Sequence, residues 1–253
     1  MKTVFFDRLQ ADIRKGKRSY WVLLDPDDFT MSQASGIARE SEACGVDALL
    51  VGGSLLHSNH FNDFVASVKG SASVPVVLFP GDSTQLSGHA DALLYLSLVS
   101  GRNPDNLIGE HVKAAPVIKD LNLEAIPTAY MLIESGSTSS VEFMSNTRPI
   151  PRTKPTIAVA HALAAQYMGM KLIYLEGGSG ALQSVPSEMI AMVRSQVEIP
   201  IIAGGGIRDA ATAKEKLEAG ADIIVTGNML RRRNGIEVMR EIAAVVKAFG
   251  PGA

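Results

Sequence analysis

A single-domain α/β fold, a (β/α)8 TIM barrel spanning residues 1–253, is the class this sequence predicts, and three observations carry it. Short apolar runs alternate with segments of helical spacing along the whole chain, the pattern of parallel strands covered by helices. The runs number eight, which is the count that closes a barrel. Residues 45–54 also recur as 220–229 and, more loosely, as 169–179. Each copy reads as a helix-ending glycine, a polar residue entering a strand, an apolar run and a glycine turn. A doubly wound open sheet is the competing architecture, but no early strand ends in the dinucleotide fingerprint G-x-G-x-x-G.

Phe5, Leu9 and Ile13 lie one helical turn apart and predict an N-terminal helix over 5–15, ended by Gly16. The first strand, 20–25, runs through Tyr20-Trp21-Val22-Leu23-Leu24 and ends on the acidic Asp25. A helix over 32–43 follows and closes at Cys44, read as a small buried residue at a helix end. Strands at 48–51, 76–79 and 92–98 come next, with a helix at 59–69 and only a weak helical segment at 84–88. A helix at 104–119 leads into the fifth strand, 125–133. Helices at 156–169, 186–195, 209–219 and 235–248 then alternate with strands at 172–175, 201–203 and 223–226.

The long irregular stretch is 134–155, after the fifth strand. A loop of that length in a compact domain usually serves function, and this one leaves a strand on the rim that carries chemistry in a barrel. Pro149, Pro151 and Pro155 stiffen its second half, and Arg148, Arg152 and Lys154 add positive charge. It reads as a lid that meets a phosphorylated substrate, against a solvated or oligomer-contact loop.

Composition narrows the partners. Lys plus Arg (24) nearly balances Asp plus Glu (26), and a net charge of -2 gives no reason to expect nucleic acid. One cysteine excludes an internal disulfide and agrees with a reducing compartment. Residues 1–17 lack the apolar segment of a signal peptide, and no run approaches the roughly 20 apolar residues that span a bilayer. A cytoplasmic protein is expected, with transient contact to a membrane surface compatible with an amphiphilic substrate. His57, His60, His89, His111 and His161 form no HExxH or other tight ligand pattern, so zinc is not expected.

Chemistry concentrates at the strand ends. Period-2 alternation puts Leu172, Tyr174 and Glu176 on one face, so a carboxylate is aimed where a strand should be apolar. Glu176 suits a general base that takes a proton from a substrate hydroxyl, with Tyr174 positioning that hydroxyl or a phosphate. A buried carboxylate paired with a cation is the plain alternative. Gly177-Gly178-Ser179-Gly180, Gly204-Gly205-Gly206 and Gly227-Asn228 end three late strands, where backbone N–H groups of a barrel cradle phosphate. Asp25 and Ser54 end the first two strands at the same rim. One carboxylate and one hydroxyl suit Mg2+, which keeps waters and substrate phosphates as its other ligands. For Asp25 the alternative is capping the Asp25-Pro26-Asp27-Asp28 turn, and for Ser54 it is a helix N-cap. Arg231-Arg232-Arg233 is a solvated run or an anion contact.

Tyr174-Leu175-Glu176-Gly177-Gly178-Ser179-Gly180, Gly204-Gly205-Gly206, Gly227-Asn228, Asp25, Gly52-Gly53-Ser54 and Ser145-Asn146-Thr147-Arg148-Pro149-Ile150-Pro151 together resemble geranylgeranylglyceryl phosphate synthase. The resemblance covers essentially the whole chain and is to the second group of that family, of bacterial and archaeal type. It implies a barrel prenyltransferase of membrane ether-lipid biosynthesis, in which the C3 hydroxyl of sn-glycerol 1-phosphate displaces diphosphate from geranylgeranyl diphosphate. By motif match it implies Mg2+ on Asp25 and Ser54. Glycerol 1-phosphate would lie on Tyr174, Leu175, Glu176, Gly177, Gly178, Ser179, Gly180, Gly205, Gly206, Gly227 and Asn228. It further implies a homo-oligomer, hexamer or dimer. From the residues alone, another phosphate-binding barrel enzyme (an isomerase or flavin-dependent oxidoreductase) and a non-catalytic phosphate or prenyl-lipid binding protein stay open. Asp25, Ser54 and Glu176 favour turnover over mere binding.

Overall fold

Each strand of the protein is apolar on both sides because its neighbours are a filled barrel on one side and a layer of helices on the other. A computed structural model describes residues 3–57 and 59–250; the ends of the predicted 1–253 domain lie outside the described residues. The strands are β1 (Ser19–Leu24), β2 (Ala48–Val51), β3 (Val76–Leu78), β4 (Ala92–Leu98), β5 (Glu124–Leu132), β6 (Leu172–Glu176), β7 (Ile201–Gly204) and β8 (Ile223–Thr226). They pair in sequence order, all parallel, and β1 also pairs with β8, so the barrel closes. Trp21, Leu50, Leu94, Ile126, Leu172 and Ile223 point inward, whereas Val22, Leu49, Ile173 and Ile224 pack under the helices. Removing each of these side chains from water contributes about 1.5–3 kcal/mol.

The helices are α1 (Val4–Arg14), α2 (Met31–Cys44), α3 (Phe61–Lys69), α4 (Glu110–Asp120), α5 (Ser140–Ser145), α6 (Pro155–Tyr167), α7 (Ser187–Arg194), α8 (Ala210–Glu218) and α9 (Gly235–Ala248). Thr30 and Gln33 form a capping box that starts α2, and Gly45 ends it in the left-handed conformation at φ 74°. The predicted helix at 104–119 begins as a π-helical turn, Asp105–Gly109, before α4.

Two expectations change. Residues 84–88 form turns and not a helix. Asp82 accepts from the Thr84 N–H at 2.8 Å, and the Gln85 amide donates to the Gly53 carbonyl at 2.8 Å while its oxygen accepts from the Gly53 N–H at 3.2 Å. These side-chain bonds to backbone compete with helix formation and tie the β3–β4 connection to the loop after β2. The stretch 134–155 is not wholly irregular either. Ser139 accepts from the Glu142 N–H at 3.3 Å and starts α5, and Ile150 bridges to Ile133 beside β5.

The internal repeat has a physical basis at the opposite rim. Asp47 accepts from the Tyr20 N–H at 2.8 Å and Asp222 from the Ile201 N–H at 2.9 Å, each supplying an acceptor to the first turn of a neighbouring strand. The looser third copy has Lys171 at that place, a side chain with no acceptor to offer. At this rim Glu124 also accepts from both the Phe5 and Phe6 N–H groups at 2.8 Å, capping α1 across the barrel floor. Glu124→Ala is expected to cost about 1–3 kcal/mol of unfolding free energy and to open α1 to hydrogen exchange. Unchanged exchange there would show that α1 is held by apolar packing, that of Phe6 and Leu9 in the core and of Phe5 on Trp21.

Candidate active site

Glu176 is the last residue of β6, and the strand's alternation turns its side chain into the barrel mouth, where it is only 6% exposed. No cation faces it among the described residues, so the ion-pair alternative does not apply. Its Oε1 accepts from the Gly178 N–H at 2.6 Å. Burial raises the Glu176 pKa from 4.5 to about 7, against the opposing effect of the Gly178 N–H bond and of the neighbouring Tyr174 hydroxyl and Gly177 N–H dipoles. A carboxyl titrating there can accept a proton from an alcohol near neutral pH and release it again. The Tyr174 hydroxyl stands beside the same carboxylate and eases its ionisation. Yet it is buried with no hydrogen bond of adequate geometry among the described residues, which leaves it a donor without an acceptor.

The glycine turns surround this pair. Gly205 has φ +75°, and a Cβ there would run into Glu176 Oε1 and lie 2.7 Å from the Gly177 nitrogen. Only glycine lets the β7 turn approach so closely. The N–H groups of Ser179, Gly205 and Gly206 have no acceptor among the described residues. Ser179 donates to Asn228 Oδ1 at 3.2 Å and joins the β6 turn to the turn after β8. Such a ring of open N–H groups is an anion cradle.

One recess at the C-terminal rim collects most of the predicted residues: Asp25, Ser54, Tyr174, Glu176, Gly178, Ser179, Gly180, Gly205, Gly206, Gly227 and Asn228. Leu175 and Gly177 are not among its walls. Leu175 points outward into the helix layer because it alternates with Tyr174 and Glu176, and Gly177 is turned toward Ala181 and donates to the Gly204 carbonyl at 3.1 Å.

Asp25 is half-buried, and its Oδ1 accepts from the Asp27 N–H at 3.0 Å. Turn capping is therefore seen, and it uses one lone pair of four. Burial raises the Asp25 pKa first of all; the Asp27 N–H lowers it, the charges of Asp28 and Asp27 raise it, and Arg231 lowers it. Ser54 lines the recess in the loop after β2 and is not the N-cap of α3, a place taken by His60. Among the described residues no three His, Cys, Asp or Glu side chains cluster as a metal cage. One carboxylate with free lone pairs and one hydroxyl suit a cation that takes its remaining ligands from water and a substrate phosphate.

Several wall residues escaped the sequence reading. Phe79 and Tyr130 stand against Tyr174 with ring centroids 5.3 and 5.4 Å away. Tyr130 is the register partner of Tyr174 on β5, and inward alternation along that strand is the signal that finds it. These two rings, with Gly53, Ser54 and Val141, are shared with a second, more apolar recess. That groove runs between β4, α4 and α5 along Leu86, Leu93, Leu96, Leu98, Ala114 and Met144. His111 also lines it, bonded to Ser97 at 3.0 Å, with its pKa lowered by burial.

The basic residues sort differently from expectation. Arg232 and Arg208 line the first recess. Arg231 pairs with Asp28, tying the turn after β8 to the turn after β1. The 134–155 segment touches the recess through Val141, and Ser139 packs on Gly178. Its cations Arg148, Arg152 and Lys154 do not line it. Arg152 instead donates to the Glu134 and Ser184 carbonyls at 3.0 and 3.2 Å, because a guanidinium fork can tie two irregular segments together.

A family model described as the PcrB family matches residues 11–248. The chain is 46% identical over 237 residues to geranylgeranylglyceryl phosphate synthase of Chitinophaga pinensis, covering 94% of this chain and 93% of that protein. It is 47% identical over 228 residues to the enzyme of that name from Thermococcus gammatolerans, covering 90% of each. Among solved structures, it is similar to (S)-3-O-geranylgeranylglyceryl phosphate synthase of Thermoplasma acidophilum in complex with sn-glycerol-1-phosphate, at TM-score 0.91 and 35% identity, covering 98% of this chain and 100% of that one.

Proposed function

The chain belongs to the PcrB family, and from that premise we propose that it is a Mg2+-dependent prenyltransferase joining the C3 hydroxyl of sn-glycerol 1-phosphate to geranylgeranyl diphosphate. The observation that carries the reading is the junction of two recesses, one with glycine turns around Glu176 and one apolar, across the shared rings of Phe79 and Tyr130. A phosphorylated alcohol fits the first and a polyprenyl chain the second. The glycerol phosphate sits on the open N–H groups of the β6, β7 and β8 turns, which fixes its hydroxyl beside Glu176 and Tyr174. The hydroxyl oxygen bonds to C1 of the prenyl group, the C1–O bond to diphosphate breaks, and Glu176 takes the hydroxyl proton. The faces of Phe79, Tyr130 and Tyr174 attract the positive charge that develops on the allylic carbon. Asp25 and Ser54 would hold Mg2+, which neutralises the diphosphate leaving group when bound.

No helix among the described residues is long and apolar enough to cross a membrane, and transient contact with a membrane surface, where a prenyl chain partitions, belongs to the proposal. The homo-oligomer, hexamer or dimer, belongs to the same proposal, and the exposed Val112 and Val117 of α4 and Tyr167 of α6 support it. An isomerase or a flavin enzyme draws no support from the apolar groove.

The test is mass analysis of products after offering each enantiomer of glycerol phosphate with C15, C20 and C35 prenyl diphosphates and Mg2+. The expected product is the C20 ether of the sn-1 enantiomer. No ether from any pair would overturn the proposal, and a C35 ether would keep the chemistry but replace the prenyl substrate.

A further inference from the structure

Behind the β7 turn lies a second polar recess on the outer side of Gly206, which with Arg208 lines both it and the candidate active site. Its floor is α8. Asp209 caps that helix by accepting from the Thr212 N–H at 2.7 Å, and Thr212 and Lys216, one turn apart, face the recess. The opposite wall is the 182–184 segment with Arg152.

Lys216 is the unusual member. It is 4% exposed, yet among the described residues its ammonium donates only to Ser187 Oγ at 3.0 Å. The carboxylate nearest to it is that of Glu215, 3.7 Å away on a side chain 63% exposed. An ammonium has three donors, and a buried charge is normally paired and fully bonded. Burial lowers the Lys216 pKa, the neighbouring Arg152 adds to the effect, and Glu215 only partly opposes it. Arg152 spends two donors on carbonyls and Arg208 one, on the Ala181 carbonyl at 2.7 Å, so both retain others. Three cations thus converge on a recess whose lining carries one carboxylate, Asp209, already committed to its helix. In a chain of net charge -2 this local excess is a departure from the average surface.

We propose that this recess is a second anion site, separate from the glycerol phosphate cradle, that takes a small phosphate-type oxyanion, inorganic phosphate or diphosphate. Lys216 is its buried anchor, Arg208 and Arg152 flank it, and the Thr212 hydroxyl, which faces the Asp209 carboxylate, turns to donate from the helix when the anion binds. The anion supplies the acceptors that Lys216 lacks. A Cβ on Gly206 would lie 2.8 Å from the Ser184 nitrogen, and Arg152 holds the Ser184 carbonyl, so the recess and the β7 turn share a wall.

The proposal is independent of the prenyl chemistry. Calorimetric titration of the full chain with inorganic phosphate, and separately with diphosphate at constant ionic strength, is expected to resolve two sites. Lys216→Met should weaken one of them roughly tenfold to a hundredfold, the loss of a charge-assisted bond, and leave the other intact. Lys216→Arg should restore it. In anion-free buffer Lys216→Met should melt no lower than wild type, since replacing a buried charge, paired at 3.7 Å with an exposed carboxylate, by an apolar isostere is neutral or stabilising. Identical isotherms for wild type and Lys216→Met would overturn the site, and so would a lower melting temperature, which would make Lys216 a structural bond to Ser187. Thr212→Val gives a second variant, expected to weaken the same site. Co-sedimentation with phosphatidylglycerol vesicles that depends on Lys216 without any effect on free phosphate would reassign the site to a lipid headgroup and overturn the free-anion assignment.

Discussion

Replacing Glu176 by glutamine is expected to leave the barrel folded and to lower ether formation by about 10²–10⁴-fold, the range a positioned general base supplies. Glutamine can still accept from the Gly178 N–H through its amide oxygen, so the turn after β6 keeps its bond. In the wild type, kcat/KM is expected to rise with pH and level off above about 7, as Glu176 loses its proton and becomes the base. The same shift acts on stability. The pKa is raised from 4.5 to about 7, so between those values the folded state keeps a proton that the unfolded chain has released. Its contribution is therefore fully present below about pH 4.5 and is lost as pH rises through about 7. At pH 8 the glutamine variant should be more stable than wild type by up to about 3 kcal/mol. Denaturant unfolding at pH 5 and pH 8 measures the difference. Wild-type turnover in Glu176→Gln would remove this residue from the base role.

The second large effect is expected at Asp25. Asparagine keeps an oxygen to accept from the Asp27 N–H, so the turn after β1 is retained while the negative charge is lost. If Asp25 holds Mg2+, turnover should fall by about 10²–10³-fold, several kcal/mol of leaving-group stabilisation. The loss should appear in the Mg2+ and prenyl diphosphate dependence, with binding of glycerol 1-phosphate little changed. That split follows from position: Asp25 and Ser54 lie just past β1 and β2, whereas the glycine turns follow β6, β7 and β8. Steady-state kinetics with each substrate and Mg2+ varied in turn would read it. An unaltered Mg2+ response in Asp25→Asn would place the metal elsewhere.

How far these roles were legible depends on the range of the interaction. Glu176 stood out because a carboxylate at the inward phase of an apolar strand is anomalous within five residues. Asp25 and Ser54 were legible as strand-end polar groups, since parallel strands of one barrel end at one rim. Leu175 entered only as part of a contiguous motif, and the alternation that points Tyr174 and Glu176 inward is what turns it away. Arg152 was legible as charge but not as a clamp, because its carbonyl partners, on Glu134 and Ser184, are brought to it by the fold. The segment 84–88 misled because Gln85 finds its bonds on Gly53, 32 residues away.

By itself, then, the sequence determined the eight strands, their inward phase, the rim on which chemistry collects and the glycine turns that ring it. These are consequences of side-chain period and backbone sterics, which act over a few residues. Only the tertiary structure decided that Phe79 and Tyr130 stack against Tyr174, that Glu176 titrates near 7, and that Lys216 lies buried with an exposed carboxylate, that of Glu215, 3.7 Å away. Each of those depends on desolvation or on register between distant segments. Both are set by the closed barrel and its helix layer as a whole.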